Sequence, residues 1–499
     1  MKKRIISLSV VIALLLTSLT GRVAYIIFSN DYTVSEGYNS YVLSLEKMYP
    51  TIYYSSTEKM TNNKFSYAAV LRPNEKTLAD LHNLFPQNEV TSITNELKLG
   101  YPIIKEADSG KISNAKYIDI YKTKASSYPS TQLISESSNG LLSYMNAYGE
   151  RKIKFYIDAK GRMLQGDEGE VYEEYFSNNR GLTISINKDI EKIAYDACKK
   201  LKSGCAVIMK VEDSSILACV TKPDSSYINK AFEQYSVGSI FKIIVSVCAL
   251  ENNIDFYYNC DGKTQVGDTA FSCQKNKIHG FVNLKSALAD SCNCYFVNLA
   301  LKLGKDKLLQ TAQKLGFGDD ITLYNEWKIN SANLPTENEL NSKGELALFG
   351  FGQGKLTSSP LQMCYSLCTI ANGGNKNQVH FSISTINENG FSTKYDYKDE
   401  ERVISKETSD KMLSFLRYVV TNGTGYSAET SAHKSAGKTA TAQTGQYING
   451  NEALNTWFAG VYPYDKPEYA IVVMTENGTS GAEDCAPIYS AIVESLEDL

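Results

Sequence analysis

Gly238-Ser239-Ile240-Phe241-Lys242 opens an apolar run that continues through Leu250. The pattern reads as the start of a buried helix, with Ser239 and Lys242 three positions apart and therefore on one helical face. A helix amino terminus stabilises negative charge and disfavours protonation of a nearby amine. A buried Lys242 is then suited to take a proton from Ser239 as that hydroxyl becomes a nucleophile. The chain holds only four histidines, His82, His279, His380 and His433, so a lysine is the natural base. By itself Ser-x-x-Lys also describes an ordinary capped helix with a surface lysine. Two further segments narrow the choice. Ser291-Cys292-Asn293 follows 52 residues later, behind a helical stretch at 284–290, and Lys438-Thr439-Ala440 lies on a late strand between Gly437 and Thr441.

At 499 residues the chain has room for two or three domains and a sizeable core. Lys+Arg 51 against Asp+Glu 55 gives a net charge of −4, and 43% of residues are apolar, which is ordinary globular composition. A nucleic-acid partner held by net positive charge is not expected. Lys2, Lys3 and Arg4 precede an apolar run from Ile5 to Leu19 that resumes from Val23 to Phe28. This predicts a signal anchor over 1–28, single-pass, with everything beyond it outside the cytoplasm. A cleaved signal peptide is the alternative, its small-residue site at Ser18-Leu19-Thr20.

Cysteine usage marks a second boundary: the first 197 residues contain none and the rest contain all eleven. Residues 29–178 are rich in Tyr, Ser, Asn and Lys, with helical stretches near 75–84 and 90–99, and present no catalytic constellation. They predict a non-catalytic spacer or docking domain. From 179 to 499 a second domain starts with a helix at 189–201 and strands at 205–210 and 215–221. It continues with helical periodicity over 239–372, strands at 435–444, 457–462 and 469–475, and a helix at 485–496. Strands at both sequence ends with helices between them imply an α+β domain whose antiparallel sheet is closed by its own termini.

The three segments together resemble the Ser-x-x-Lys, Ser-x-Asn and Lys-Thr-Gly motifs of the penicillin-binding transpeptidases and serine β-lactamases. Asn229-Lys230-Ala231, Gly352-Gln353-Gly354, Ser359-Pro360-Leu361-Gln362-Met363, Gly423-Thr424-Gly425 and Trp457-Phe458-Ala459-Gly460 extend the resemblance over the whole second domain. With a single anchor and no glycosyltransferase module, the resemblance is to the monofunctional class B penicillin-binding proteins. It implies a transpeptidase/serine β-lactamase-like domain with an all-helical subdomain, standing on an elongated pedestal behind a membrane anchor. The implied substrate is the D-alanyl-D-alanine end of peptidoglycan stem peptides, β-lactams are the implied inhibitors, and no cofactor is required for catalysis. Ser239 is implied as nucleophile and Lys242 as base. Ser291 would relay a proton to the leaving group with Lys438 reaching towards it, and Asn293 would orient Lys242 and the acyl-side amide. The backbone N–H groups of Ser239 and Thr441 would form the oxyanion hole, and Thr439 and Thr441 would bind the terminal carboxylate. Implied partners are a membrane glycosyltransferase and the elongation, division or sporulation machinery. One departure is visible: Ala440 stands where the motif has glycine, which puts β-lactam affinity in question.

Cys260, Cys273, His279 and Cys292 are spaced as Cys-x12-Cys-x5-His-x12-Cys, a ligand set suited to structural zinc. The alternative is a Cys260–Cys273 disulfide with Cys292 a small buried hydrophobe. Two rival functions stay open. Glu337-Asn338-Glu339-Leu340-Asn341 resembles the Glu-x-x-Leu-Asn water-activating segment of class A β-lactamases, which implies a β-lactam hydrolase using Glu337. The Ala440 substitution alternatively fits a non-catalytic β-lactam- or peptidoglycan-binding scaffold.

Overall fold

The computed structural model describes residues 2–28, 40–72, 75–113, 115–125, 129, 131–136, 140–157, 164, 166–226, 228–397 and 400–499. The chain forms two compact units. One comprises Met1–Met48, Phe65–Lys122 and Gly149–Phe176, and the other comprises Tyr49–Lys64, Thr123–Tyr148 and Ser177–Leu499. The junction expected at 178/179 lies beside Ser177, where the chain enters the second unit for the last time. The expected start of the first domain, residue 29, is outside the described residues. Segments 49–64 and 123–148, assigned from sequence to the first domain, instead build the second. Thr51–Tyr53 pairs in parallel with Asn179–Ile184, and Ile52, Leu133 and Leu141 are buried in the second unit's main core. A short segment that contributes one strand or a few apolar side chains carries no compositional mark of the unit it joins.

In the first unit the helix Lys2–Phe28 includes an 18-residue window, Leu8–Tyr25, of mean hydropathy 1.7 with none of it buried. At 1.5 Å per residue this helix is long and apolar enough to cross a bilayer. Ser40–Met48, Gly149–Tyr156 and Glu170–Tyr175 form one antiparallel sheet. The helices Glu75–Leu84 and Gln87–Leu97 bury Leu81, Val90, Ile93 and Leu97 against Ala69, Leu71 and Ile103. The second helix starts three residues earlier than its apolar pattern suggests, directly after Pro86, whose ring fixes the backbone at a helix entry.

The second unit is organised by five strands: β1 (Gly204–Lys210), β2 (Ile216–Lys222), β3 (Ala436–Ile448), β4 (Asn451–Tyr462) and β5 (Tyr469–Glu476). They form an antiparallel sheet in the order β2-β1-β5-β4-β3, so the early hairpin and the late strands close on each other in the β1–β5 ladder. Side chains alternate between its faces. Cys205, Val207 and Met209 join Ala470, Val472 and Met474 in one core, and Ala206, Ile208, Ile471 and Val473 join the other. Burial of both faces is why these strands read as unbroken apolar runs.

Helices α1 (Lys188–Ala197) and α7 (Ala486–Glu497) cover one face through Ile190, Ala194, Tyr489, Ile492 and Val493. The other face meets the core shared by α2 (Lys242–Glu251), α3 (Leu284–Ala289), α4 (Asn293–Leu303), α5 (Pro360–Ala371) and α6 (Lys406–Asn422). Cys364 of α5 lies 3.2 Å from the Ala470 carbonyl, which places that helix against β5. The sequence reads as helical periodicity over 239–372. Between α2 and α3, however, Tyr258–Cys260 pairs with Gly280–Val282 and Lys263–Val266 with Thr269–Ser272. Gly262 and Gly267, both at positive φ, turn the chain into these small ladders.

Candidate active site

Ser239 lies in a 3-10 turn, Gly238–Ile240, that runs directly into α2, whose first residue is Lys242. Two glycines make this entry possible. A Cβ on Gly352 would sit 1.9 Å from the Gly238 carbonyl oxygen, and the Gly238 N–H donates to the Gly352 carbonyl at 2.9 Å. The Gly352-Gln353-Gly354 segment thus braces the nucleophile turn through backbone contact that no side chain would permit. On the other flank the Trp457 indole N–H donates to the Ser236 carbonyl at 3.0 Å, which ties β4 to the strand leading into the turn.

Lys242 is fully buried, and its ammonium donates to the Ser291 carbonyl (2.8 Å), Asn293 Oδ1 (2.7 Å) and Ser291 Oγ (3.2 Å). Ser239 Oγ is not among these partners. Burial pulls the Lys242 pKa down from 10.5 to about 8, against an opposing pull from the nearby thiols of Cys292, Cys273 and Cys294. A neutral Lys242 has two N–H donors, which the Ser291 carbonyl and Asn293 Oδ1 accept. Its lone pair is then available to a hydroxyl proton.

Ser291 sits between α3 and α4 at φ +56°, the left-handed region, at a backbone cost of about 1 kcal/mol for a non-glycine residue. A capping box at Asn283 and Ser286 starts α3, and the Cys292 sulfur caps α4 by accepting from the Tyr295 N–H. Asn293 Nδ2 donates to the Ser272 carbonyl at 3.0 Å, which turns Oδ1 towards Lys242. Asn293 thus contacts Lys242 as expected, while one of its two amide N–H donors goes to the loop that also carries Cys273.

Lys438 and Thr439 on β3 are buried, and the partner of Lys438 differs from expectation. Lys438 donates to the Thr439 carbonyl (2.9 Å) and Thr424 Oγ1 (3.5 Å), not to Ser291. Burial drives its pKa well below the usual lysine range, the neighbouring Lys242 charge lowers it further, and Asp290 opposes both. Thr439 Oγ1 donates to Thr424 Oγ1 at 2.8 Å, while Thr441 Oγ1 accepts from the Gly481 N–H at 3.4 Å. Thr424 and Gly481 therefore join the residues around the third motif. Ala440 is 3% exposed and belongs to the same core as Trp457 and Ala436. The methyl that replaces glycine packs into the sheet's inner face.

The match to the family of the penicillin-binding protein transpeptidase domain runs over residues 204–494, more than half of the chain. The chain belongs to the penicillin-binding transpeptidases. It is 28% identical over 393 residues to the peptidoglycan D,D-transpeptidase FtsI homolog of Mesostigma viride, covering 68% of this chain and 64% of that protein. It is 28% identical over 516 residues to the stage V sporulation protein D of Bacillus subtilis, covering 92% of this chain and 77% of that one. The chain thus spans a little under two thirds of the first relative and about three quarters of the second. In fold it is similar to the D,D-transpeptidase domain of a peptidoglycan glycosyltransferase from Eggerthella lenta, with a TM-score of 0.65 at 20% identity over 91% of this chain and 99% of that one. It is likewise similar to penicillin-binding protein 3 of Mycobacterium tuberculosis complexed with aztreonam, with a TM-score of 0.63 at 18% identity over 92% and 97% of the two chains.

Glu337 is not grouped with the motif residues. It is exposed and borders a cavity of about 730 Å³ whose lining includes Asp306, Gln310, Asp319 and Asn333 but none of the three motifs. Asn341, the other end of the Glu-x-x-Leu-Asn segment, accepts from Lys305.

The second constellation lies against the Ser-x-Asn motif. The ligand atoms of Cys260, Cys273, His279 and Cys292 all fall within 4.8 Å of one another. Cys260 Sγ is 3.7 Å from Cys273 Sγ and 3.5 Å from His279 Nδ1, and Cys273 Sγ is 3.7 Å from Cys292 Sγ. These separations are too long for a disulfide, and all eleven cysteines are free and buried. Zinc–sulfur bonds of about 2.3 Å at tetrahedral angles put ligand sulfurs about 3.8 Å apart, so the group fits a tetrahedral thiophilic ion. Cys294 Sγ, 3.5 Å from Cys273 Sγ, is a fourth thiol beside this group that the ligand spacing did not include, although its Cys-x-Cys relation to Cys292 was available in the sequence.

Proposed function

We propose that the chain is a peptidoglycan D,D-transpeptidase acting through a Ser239 acyl-enzyme and inhibited by β-lactams. The observation that carries this reading is the convergence of Lys242, Ser291 and Asn293, one helical turn from Ser239. In the reaction Ser239 Oγ attacks the penultimate D-alanyl carbonyl and its proton passes to neutral Lys242. The C–N bond to the terminal D-alanine breaks, and that amine leaves with a proton returned through Ser291. An amine of a second stem peptide then attacks the ester and restores the serine. The Ser239 and Thr441 backbone N–H groups are assigned to the oxyanion, where each such donor contributes about 3–4 kcal/mol. Thr439 and Thr441 are assigned to the terminal carboxylate. The exposed position of Glu337 argues against the hydrolase alternative, and retention of every polar group of the three motifs argues against a purely non-catalytic scaffold. Incubation with a stem pentapeptide and an acceptor amine tests the reading. The expected result is D-alanine release with a cross-linked product, unchanged by Glu337→Gln and abolished by Ser239→Ala; release that survives Ser239→Ala contradicts it.

The apolar helix Lys2–Phe28 supports a single-pass membrane anchor with the catalytic domain outside the cytoplasm. The first unit is read as a pedestal that docks a glycosyltransferase and the elongation, division or sporulation machinery.

A second reading concerns a cofactor. The distances within the Cys260, Cys273, His279 and Cys292 group favour a structural zinc ion at this place. Bound there, zinc would fasten the 261–281 loop to Cys292, the residue between Ser291 and Asn293. Its contribution is structural, and the proton transfers stay with Lys242 and Ser291.

A further inference from the structure

We infer that Thr424 is a positioning residue of the transpeptidase site, holding Lys438 and Thr439 in place and joining their strand to the turn that presents Ser291. The inference rests on the transpeptidase reading above. Thr424 follows the end of α6, and its hydroxyl accepts from Thr439 Oγ1 at 2.8 Å and from Lys438 Nζ at 3.5 Å. Its backbone N–H donates to the Ala289 carbonyl at 3.0 Å. Ala289 is the last residue of α3, two positions before Ser291. Gly423 makes this approach possible, since a Cβ there would lie 2.3 Å from the same Ala289 oxygen. Gly423 and Gly425 both donate to the Val419 carbonyl, which secures the segment to α6.

One short stretch thus touches the helix leading to the second motif through its backbone and the third motif through its hydroxyl. The chemistry explains why a hydroxyl is needed. Lys438 is fully buried, and it donates to the Thr439 carbonyl and Thr424 Oγ1. A buried amine donor that loses an acceptor is left unmatched or shifts towards another partner, and either outcome displaces it from its place. Without the Thr424 hydroxyl, Lys438 and Thr439 lose their common anchor.

Acylation of Ser239 in the purified full-length chain by a fluorescent penicillin tests this, using wild type, Thr424→Val, Thr424→Ser, Thr439→Val and the Val/Val double variant. Thr424→Val is expected to slow acylation about tenfold, the scale of one lost buried hydrogen bond, with Thr424→Ser restoring the rate to within about threefold of wild type. Because the two threonines act through one contact, the double variant is expected to be about as slow as the slower single variant. Should Thr424→Val not fold, Thr424→Ala removes the same acceptor with a smaller side chain and takes its place. Acylation by the valine or alanine variant at the wild-type rate, a serine variant no faster than valine, or multiplicative effects in the double variant would each overturn the inference alone. A wild-type chain that takes no label on Ser239 removes the transpeptidase reading and this inference with it.

Discussion

Replacing Lys242 with methionine is expected to slow acylation of Ser239 on the order of a thousandfold, about 4 kcal/mol in the barrier, while the chain stays folded. Methionine fills the buried volume and removes the only amine placed one turn after the nucleophile. The Ser291 carbonyl and Asn293 Oδ1 each lose a donor, a cost partly offset by removing an amine whose charge is disfavoured by burial. The melting temperature is therefore expected to stay within a few degrees of wild type. The same residue sets the pH dependence. With its pKa pulled by burial from 10.5 to about 8, Lys242 is neutral in about one molecule in a hundred at pH 6 and in half of them at pH 8. Acylation should rise about fiftyfold over that interval and level off above pH 9. Stability moves in the same direction. Between about pH 8 and 10.5 the unfolded chain holds the Lys242 proton and the folded chain does not, so this group's contribution to folding rises with pH. A flat acylation profile from pH 6 to 8, or Lys242→Met acylating within tenfold of wild type, contradicts the assignment of the base.

The second large effect concerns the thiol cluster. Protein purified without chelator is expected to carry about one equivalent of zinc per chain. Its removal, or Cys273→Ser, is expected to lower the melting temperature by about 10 °C and slow acylation of Ser239 at least tenfold. The link to catalysis is physical. The Ser272 carbonyl holds the Asn293 amide, Asn293 holds Lys242, and Cys273 follows Ser272 directly. Loosening the loop therefore releases the acceptor that orients the general base. Readdition of zinc should restore both properties in the wild-type chain. Protein with negligible metal and full acylating activity contradicts the cofactor reading and leaves the serine mechanism untouched.

The catalytic unit was legible because its signals are local. Ser239 and Lys242 are one turn apart, and the strand runs at 205–210 and 469–475 are bounded by turns, so spacing and composition carry the information. Interleaving of the two units was not legible. Residues 49–64 reach the second unit by a three-residue parallel pairing, Thr51–Tyr53 on Gly181–Thr183, which no pattern in either segment encodes. The ladders at 258–282 were hidden for a related reason. Strands of three and four residues are shorter than any period that distinguishes them from loop. Within the candidate site, the three motifs named Lys242, Ser291 and Asn293, which the structure brings together, but not the bonds each makes. Lys438 was expected to reach Ser291, and the structure gives it Thr424 instead, a residue visible beforehand only as the centre of Gly423-Thr424-Gly425. Asn293 follows the same rule: its identity was clear from sequence, while the orientation of its amide depends on a carbonyl 21 residues away. The grouping of Cys260, Cys273, His279 and Cys292 followed from spacing, whereas the approach of Cys294 to Cys273 depends on the hairpin folding back onto α4.

Digestion of the protein after exposure to a mass-labelled penicillin, with the adduct located by peptide mapping, decides whether Ser239 is the nucleophile. The account requires one penicilloyl group per chain, on Ser239, persisting for many minutes and absent from Lys242→Met over the same interval. An adduct on another residue, or rapid turnover of the penicillin with no covalent species on Ser239, would contradict it.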